Sequence, residues 1–132
     1  MSLPLAQSTR SPLAKTAPHV EHFREHGYVI VRGLFDAAEM AEAQREAARV
    51  YALGLQHHAT WRHKNLPYEI LPESYAGRRC MLQAHWYAWV SPYFERMRRD
   101  PRVLAVLEPL LGRDIKQVAQ QLHWKPPGAA RG

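Results

Sequence analysis

The sequence of 132 residues contains a single cysteine, Cys80. One thiol excludes an internal disulfide and any zinc site built from several thiolates. A chain without disulfides suits a reducing compartment, so a cytoplasmic protein is expected. No stretch approaches the ~18 consecutive apolar residues of a membrane span, and the first residues lack the apolar core of a secretory signal. Neither a membrane span nor secretion is expected. Glycine and proline number 7 and 10, too few for a low-complexity or collagen-like chain. Acidic side chains are scarce only towards the C-terminus. Residues 1–77 carry eight basic and eight acidic side chains, whereas residues 78–132 carry ten basic and four acidic ones. The whole formal charge of +6 therefore lies in the last stretch. That bias suits an anionic ligand, a nucleic acid or an acidic partner surface.

What is present reads as an alternation of helices and short strands. Residues 1–17 carry Ser, Thr and Pro without an apolar run and read as a disordered tail; their arginine and lack of acids also fit an organelle transit peptide. Pro18 suits the first turn of a helix through His26 that Gly27 closes. Tyr28-Val29-Ile30-Val31 is β-branched, lies between glycines and reads as a buried strand. Asp36 and Glu39 form a capping box ahead of an Ala- and Glu-rich helix over Ala37–Leu53, with Met40, Ala43, Ala47, Val50 and Leu53 on one stripe. Residues 55–77 lose all periodicity and read as a long loop. Cys80–Val90 fits either a strand or part of a helix. Ser91-Pro92 and Asp100-Pro101 each read as a cap with a first-turn proline, starting helices through Arg98 and Leu111. Residues 115–124 alternate as a strand does.

Eight histidines invite a search for metal ligands. His19-Val20-Glu21 matches the His-x-Asp/Glu pair of a facial triad, but it lies in a helix-like stretch. His22 and His26 have i,i+4 spacing and no third ligand; they read as exposed helix. His57, His58 and His63 surround Trp61 in the long loop, as substrate contacts or as surface. Arg96, Arg98, Arg99 and Arg102 follow Trp86, Tyr87, Trp89, Tyr93 and Phe94, a mixture that could stack on and neutralise nucleic acid. No known nucleic-acid-binding signature accompanies them. In Gln120–Lys125, a strand would place Gln121, His123 and Lys125 on one face and Gln120, Leu122 and Trp124 on the other. The polar face then meets solvent or lines a polar pocket.

The order FREHGYVIVRGLFDAAEM, DPRVLAVLEPLLGRDI and QQLHWKPPG, spanning about residues 20–132, resembles the N-terminal part of the phytanoyl-CoA dioxygenase family. That resemblance implies an α+β chain: the helical front and first strands of a double-stranded β-helix (jelly-roll) fold, in residues 18–132 as an incomplete domain. It implies an iron(II)- and 2-oxoglutarate-dependent oxygenase that hydroxylates a small organic substrate when complete. The family's His-x-Asp pair, its distant histidine and its carboxylate-gripping arginine come after the K-P-P-G segment, so no catalytic or metal residue is assigned in this chain. As given, the chain is expected to be inactive and to bind neither cofactor tightly. By resemblance, Lys125 contacts 2-oxoglutarate; Gln121, on the same strand face, is a lesser candidate for the same pocket. The loop from Trp61 to Tyr75 would help cover the substrate. A strand edge left without its neighbour would expose Leu122 and Trp124 and invite self-association. The alternatives are a non-catalytic binding or assembly module on the same fold and a basic nucleic-acid-binding domain.

Overall fold

A computed structural model describes residues 17–73 and 77–125. The expected tail, Ala17 apart, and the Pro126-Pro127-Gly128 turn lie outside the described residues. The chain forms two compact units, residues 1–32 and 33–132.

The first unit contains α1, Pro18–His26. Gly27 ends it with φ 78°, a left-handed conformation that costs little without a Cβ, and donates its N–H to the Phe23 carbonyl at 2.8 Å. The strand expected at Tyr28–Val31 does not form. These residues follow α1 as irregular chain, and Ile30 is 66% exposed. Their β-branched composition favours extended backbone, but a strand exists only through pairing, and no described strand pairs with this one.

The second unit has mixed helix and sheet, the α+β class read from the sequence. It opens with α2, Ala37–Gly54, started by the expected box: Asp36 accepts from the Glu39 N–H and Glu39 accepts from the Asp36 N–H, both at 2.8 Å. Asp36→Ala removes one of these acceptors and is expected to cost about 1 kcal/mol, seen as a lower urea midpoint with unchanged slope. Ala43 and Val50 are buried along the expected stripe, while Met40 at its start is exposed.

The expected long loop over residues 55–77 is instead largely a hairpin. β1, Trp61–His63, and β2, Leu66–Leu71, pair antiparallel around a two-residue turn at Lys64-Asn65, where Lys64 has φ 53°. Thr60 Oγ1 accepts from the Ile70 N–H at 3.1 Å and ties the loop before β1 to β2. β3, Cys80–His85, pairs with β2 across a bulge at Glu69/Ile70. A 3₁₀ turn, Tyr87–Val90, then leads to α3, Pro92–Met97, and α4, Pro101–Leu111. Both expected caps hold: Ser91 accepts from the Phe94 N–H and Asp100 from the Arg102 N–H. β4 is shorter than expected, Gln121–His123, and closes an antiparallel sheet of order β1-β2-β3-β4.

The core lies between α2, α3 and the sheet. Val50, Leu66, Tyr68, Ile70, Met81, Ala84 and Phe94 are buried there. β4 is an edge strand, as expected, but Leu122 and Trp124 are not exposed by it: both are partly buried against this core. α4 differs. It carries Val103, Leu104, Val106, Leu107, Leu110 and Leu111, yet none of its residues is buried. No described helix is long and apolar enough to cross a membrane.

Candidate functional site

β4 alternates as its sequence demands. Gln121, His123 and Lys125 are exposed, while Gln120 is buried and Leu122 and Trp124 are partly buried. Gln120 fixes the strand's entry. Its carbonyl accepts the Trp86 N–H at 2.9 Å and its side-chain Oε1 accepts the Ala88 N–H at 3.0 Å. Those two bonds hold Trp86 at φ 50°, a left-handed conformation that an indole-bearing residue adopts only when its surroundings demand it. The strand's exit is fixed equally well, because the Trp124 N–H donates to the Leu82 carbonyl at 2.8 Å. Lys125 is therefore the first residue beyond a fully laddered strand.

The β3–β4 register pairs Gln83 with His123 and His85 with Gln121. Antiparallel continuation of that register sets Met81 opposite Lys125, with Arg78 three positions further back, in the bend before β3. The neighbouring Arg79 is anchored, its guanidinium donating to the Leu55 carbonyl and contacting His58 Nδ1, both at 2.8 Å. On the third side, Tyr51 from the last turn of α2 accepts the Met81 N–H at 3.4 Å and lays its ring 5.3 Å from that of Trp124. Tyr51, Arg78, Trp124 and Lys125 line an open recess of about 280 Å³. Neither Arg78 nor Lys125 forms an ion pair with any described residue.

Gln121 does not reach this recess. Its amide lies between His85 Nδ1 at 3.3 Å and His123 Nε2 at 3.2 Å. Four residues of extended chain span ~13 Å, so sharing a strand face with Lys125 does not bring it to the same ligand atoms.

The histidines serve other ends. His19 and Glu21 are two positions apart on α1, about 200° around the helix axis, and cannot close on one ion. The His22 and His26 rings lie 4.4 Å apart, tilted by 54°. In the hairpin, His57 stacks on Trp61 at 4.3 Å, and Trp61 in turn stacks on buried Tyr68 at 5.6 Å. No three described His, Cys, Asp or Glu side chains stand together as metal ligands, so the iron that the resemblance implies has no fitting site among the described residues.

The arginine cluster is largely neutralised from within. Glu95 takes Arg98 at 2.6 Å and Arg99 at 2.8 Å, which holds the Glu95 carboxyl below its usual range. Arg102 binds Glu39 at 2.6 Å and Asp100 at 2.7 Å, and lies 4.9 Å from the Phe35 ring centre. Its hydrogen bonds pull the Asp100 carboxyl down to about 2. Arg102 thereby joins the start of α2 to the α3–α4 junction.

Comparison with protein-family models, with curated proteins and with solved structures finds no match for this chain.

Proposed function

We propose that the chain is the front portion of a jelly-roll oxygenase of the iron(II)- and 2-oxoglutarate-dependent class, in a cytoplasmic protein, and that it supplies one cosubstrate contact, Lys125. The observation that carries this reading is the recess: Lys125 stands at a fixed strand end, with no acidic partner among the described residues, beside a two-ring wall. An ammonium supplies a compact cation for a carboxylate there. The resemblance in helix order and in the strand ending at Lys125 supports the same assignment. On this reading the iron ligands would be residues other than the described ones, which bring no three His, Cys, Asp or Glu side chains together.

The test is to express the reading frame continuing past Gly132. A downstream His-x-Asp pair and iron-dependent release of succinate from 2-oxoglutarate are the expected results. In that protein Lys125→Ala should raise the KM for 2-oxoglutarate about fivefold to tenfold with little change in iron affinity. The magnitude is that of a charge pair in an open, partly solvated recess, on the order of 1 kcal/mol. A frame that ends without metal ligands would overturn the reading.

A second reading, a non-catalytic binding or assembly module, is favoured by α4, whose six apolar side chains include none that is buried. The open edge of β4 adds a route to self-association. Concentration-dependent sedimentation of the chain would separate this reading from the first. No specific nucleic-acid partner is proposed, because acids engage Arg98, Arg99 and Arg102.

A further inference from the structure

We propose that the polar face of the sheet, through Gln83 and His85 of β3 and Gln121 and His123 of β4, forms a substrate-binding wall of the oxygenase, and that the substrate is a small neutral compound bearing hydroxyl or amide groups rather than a hydrocarbon chain. This assignment rests on the jelly-roll reading above. It adds a substrate class and two residues, Gln83 and His85, that no motif in the sequence singles out.

Three observations support it. The first is the division of the sheet into unlike faces. Tyr68, Ile70, Met81 and Ala84 are buried in the core below α2 and α3, and Leu122 packs against them. On the other face the register sets Glu69 opposite Gln83, Gln83 opposite His123, and His85 opposite Gln121. Gln83 and His85 are half-buried, and Gln121 and His123 are exposed. In a jelly roll a second sheet stacks ~10 Å from the first. Helices already cover the apolar face, so the second sheet would lie over the polar one. The facing surfaces of stacked sheets normally interdigitate as a core, and enclosed polar groups need partners. A polar patch there marks the wall of a ligand cavity and not a dry seam.

The second observation is the hydrogen bonding. Gln83 Nε2 donates to Glu69 Oε2, and the Gln121 amide lies between His85 Nδ1 at 3.3 Å and His123 Nε2 at 3.2 Å. These bonds tie the side chains together across three strands. They leave Gln83 Oε1, His85 Nε2 and His123 Nδ1 without a hydrogen-bond partner among the described residues. A carboxamide oxygen accepts, and an imidazole nitrogen donates or accepts according to its tautomer. That set suits hydroxyl and amide groups and offers nothing to an alkyl chain. No lysine or arginine occupies these positions, so nothing in the patch selects an anion. The third observation is the backbone. The β2–β3 bulge falls at Glu69/Ile70, and Trp86, directly after His85, holds φ 50°. Bulges re-aim side chains beside active sites, and strained non-glycine residues gather there.

The experiment uses the protein read through past Gly132, with iron and 2-oxoglutarate, and follows succinate release with and without added probes. Glucose, inositol and N-acetylglucosamine supply hydroxyl and amide groups; octane and decanoate supply hydrocarbon chains. Faster release with at least one of the first three, and with neither chain, is expected. His85→Leu and Gln83→Leu should each raise the KM for that probe about fivefold, the effect of one lost hydrogen bond, and leave the KM for 2-oxoglutarate unchanged. His85→Gln keeps a hydrogen-bonding group and should recover most of the loss. In the 132-residue chain both leucine variants should melt close to wild type, because neither side chain belongs to the core. A large loss of stability would show that these residues serve the fold, and would overturn the wall. Faster release with the chains alone or with no probe, or an unchanged KM in the leucine variants, overturns the wall and leaves the oxygenase reading standing. No iron-dependent succinate release under any condition overturns the oxygenase reading, and the wall falls with it.

Discussion

Gly54→Val is expected to lower the melting temperature by on the order of 10–15 °C. Gly54 is the buried last residue of α2, where the helix end crosses the sheet. A Cβ at this position would overlap Met81 Sδ and lie 3.1 Å from Met81 Cε and 3.4 Å from Tyr68 Cγ. Met81 is fully buried in the core, so its thioether has little room to retreat. Two competing terms set the outcome. Replacing glycine in a helix gains up to ~1 kcal/mol of propensity for alanine and less for a β-branched residue. Overpacking costs ~1–3 kcal/mol, and valine adds two methyl groups to the overlapping Cβ, which places it at the upper end. A net loss of about 2–3 kcal/mol corresponds to the stated shift for a domain of this size. Gly54→Ala should lose only ~1 kcal/mol. The mechanism has its own check, because Met81→Ala alone should cost ~2–5 kcal/mol by leaving a cavity. In the double variant valine would occupy part of that cavity, so the combined loss should be smaller than the two single losses added. Strict additivity in thermal melts would rule out the proposed overlap.

The same contact shows why some of the structure is legible in the sequence and some is not. Helices announce themselves through local chemistry. Asp36 with Glu39, Ser91-Pro92 and Asp100-Pro101 each satisfy free N–H groups at a helix start, and all three mark real starts. Sheet pairing is not local. The run Tyr28–Val31 has the better strand composition and stays unpaired, whereas Trp61–His63 and Leu66–Leu71 pair despite histidines and a proline. Pro67, opposite Arg62, breaks the apolar pattern of β2, and Lys64-Asn65 lacks the glycine that usually marks a two-residue turn. The exposure of Lys125 is legible, because strand alternation alone puts it on the outer face. The approach of Arg78 to the same recess has no such signal, since residue 78 reaches it from the bend before β3 and not through strand pairing. Gln121 illustrates the converse: a shared face was read correctly, but the distance along the strand separates it from the recess.

Acid is expected to destabilise the protein between about pH 5 and pH 2, and Glu46→Gln to remove much of that dependence. Glu46 lies in the middle of α2 and joins it to the start of α3. Its carboxylate accepts from Arg49 Nε at 3.0 Å and Nη2 at 2.9 Å, and from Ser91 Oγ at 2.6 Å. Arg49 extends the link by donating to the Val90 carbonyl at 2.6 Å. Ser91 is fully buried and caps α3, so its hydroxyl needs this acceptor. The Arg49 hydrogen bonds first, and the Ser91 hydrogen bond second, pull the Glu46 carboxyl down to about 2. A carboxyl whose pKa is lower folded than unfolded binds its proton more readily in the unfolded chain. Its contribution is present in full above the ordinary carboxylate value and disappears as pH falls through the folded one. The side chain is 23% exposed, so solvent screening reduces the full linkage value to on the order of 2 kcal/mol. Asp100, held down to about 2 by Arg102, titrates over the same range, so the informative quantity is the difference between wild type and variant. Glutamine keeps the shape and an acceptor for Ser91 but carries no titrating charge. Urea midpoints measured at pH 7, 4 and 2.5 should therefore converge for the two proteins as pH falls. Parallel curves, with the variant equally below wild type at every pH, would show that Glu46 holds α2 to α3 by hydrogen bonding alone and not through its charge.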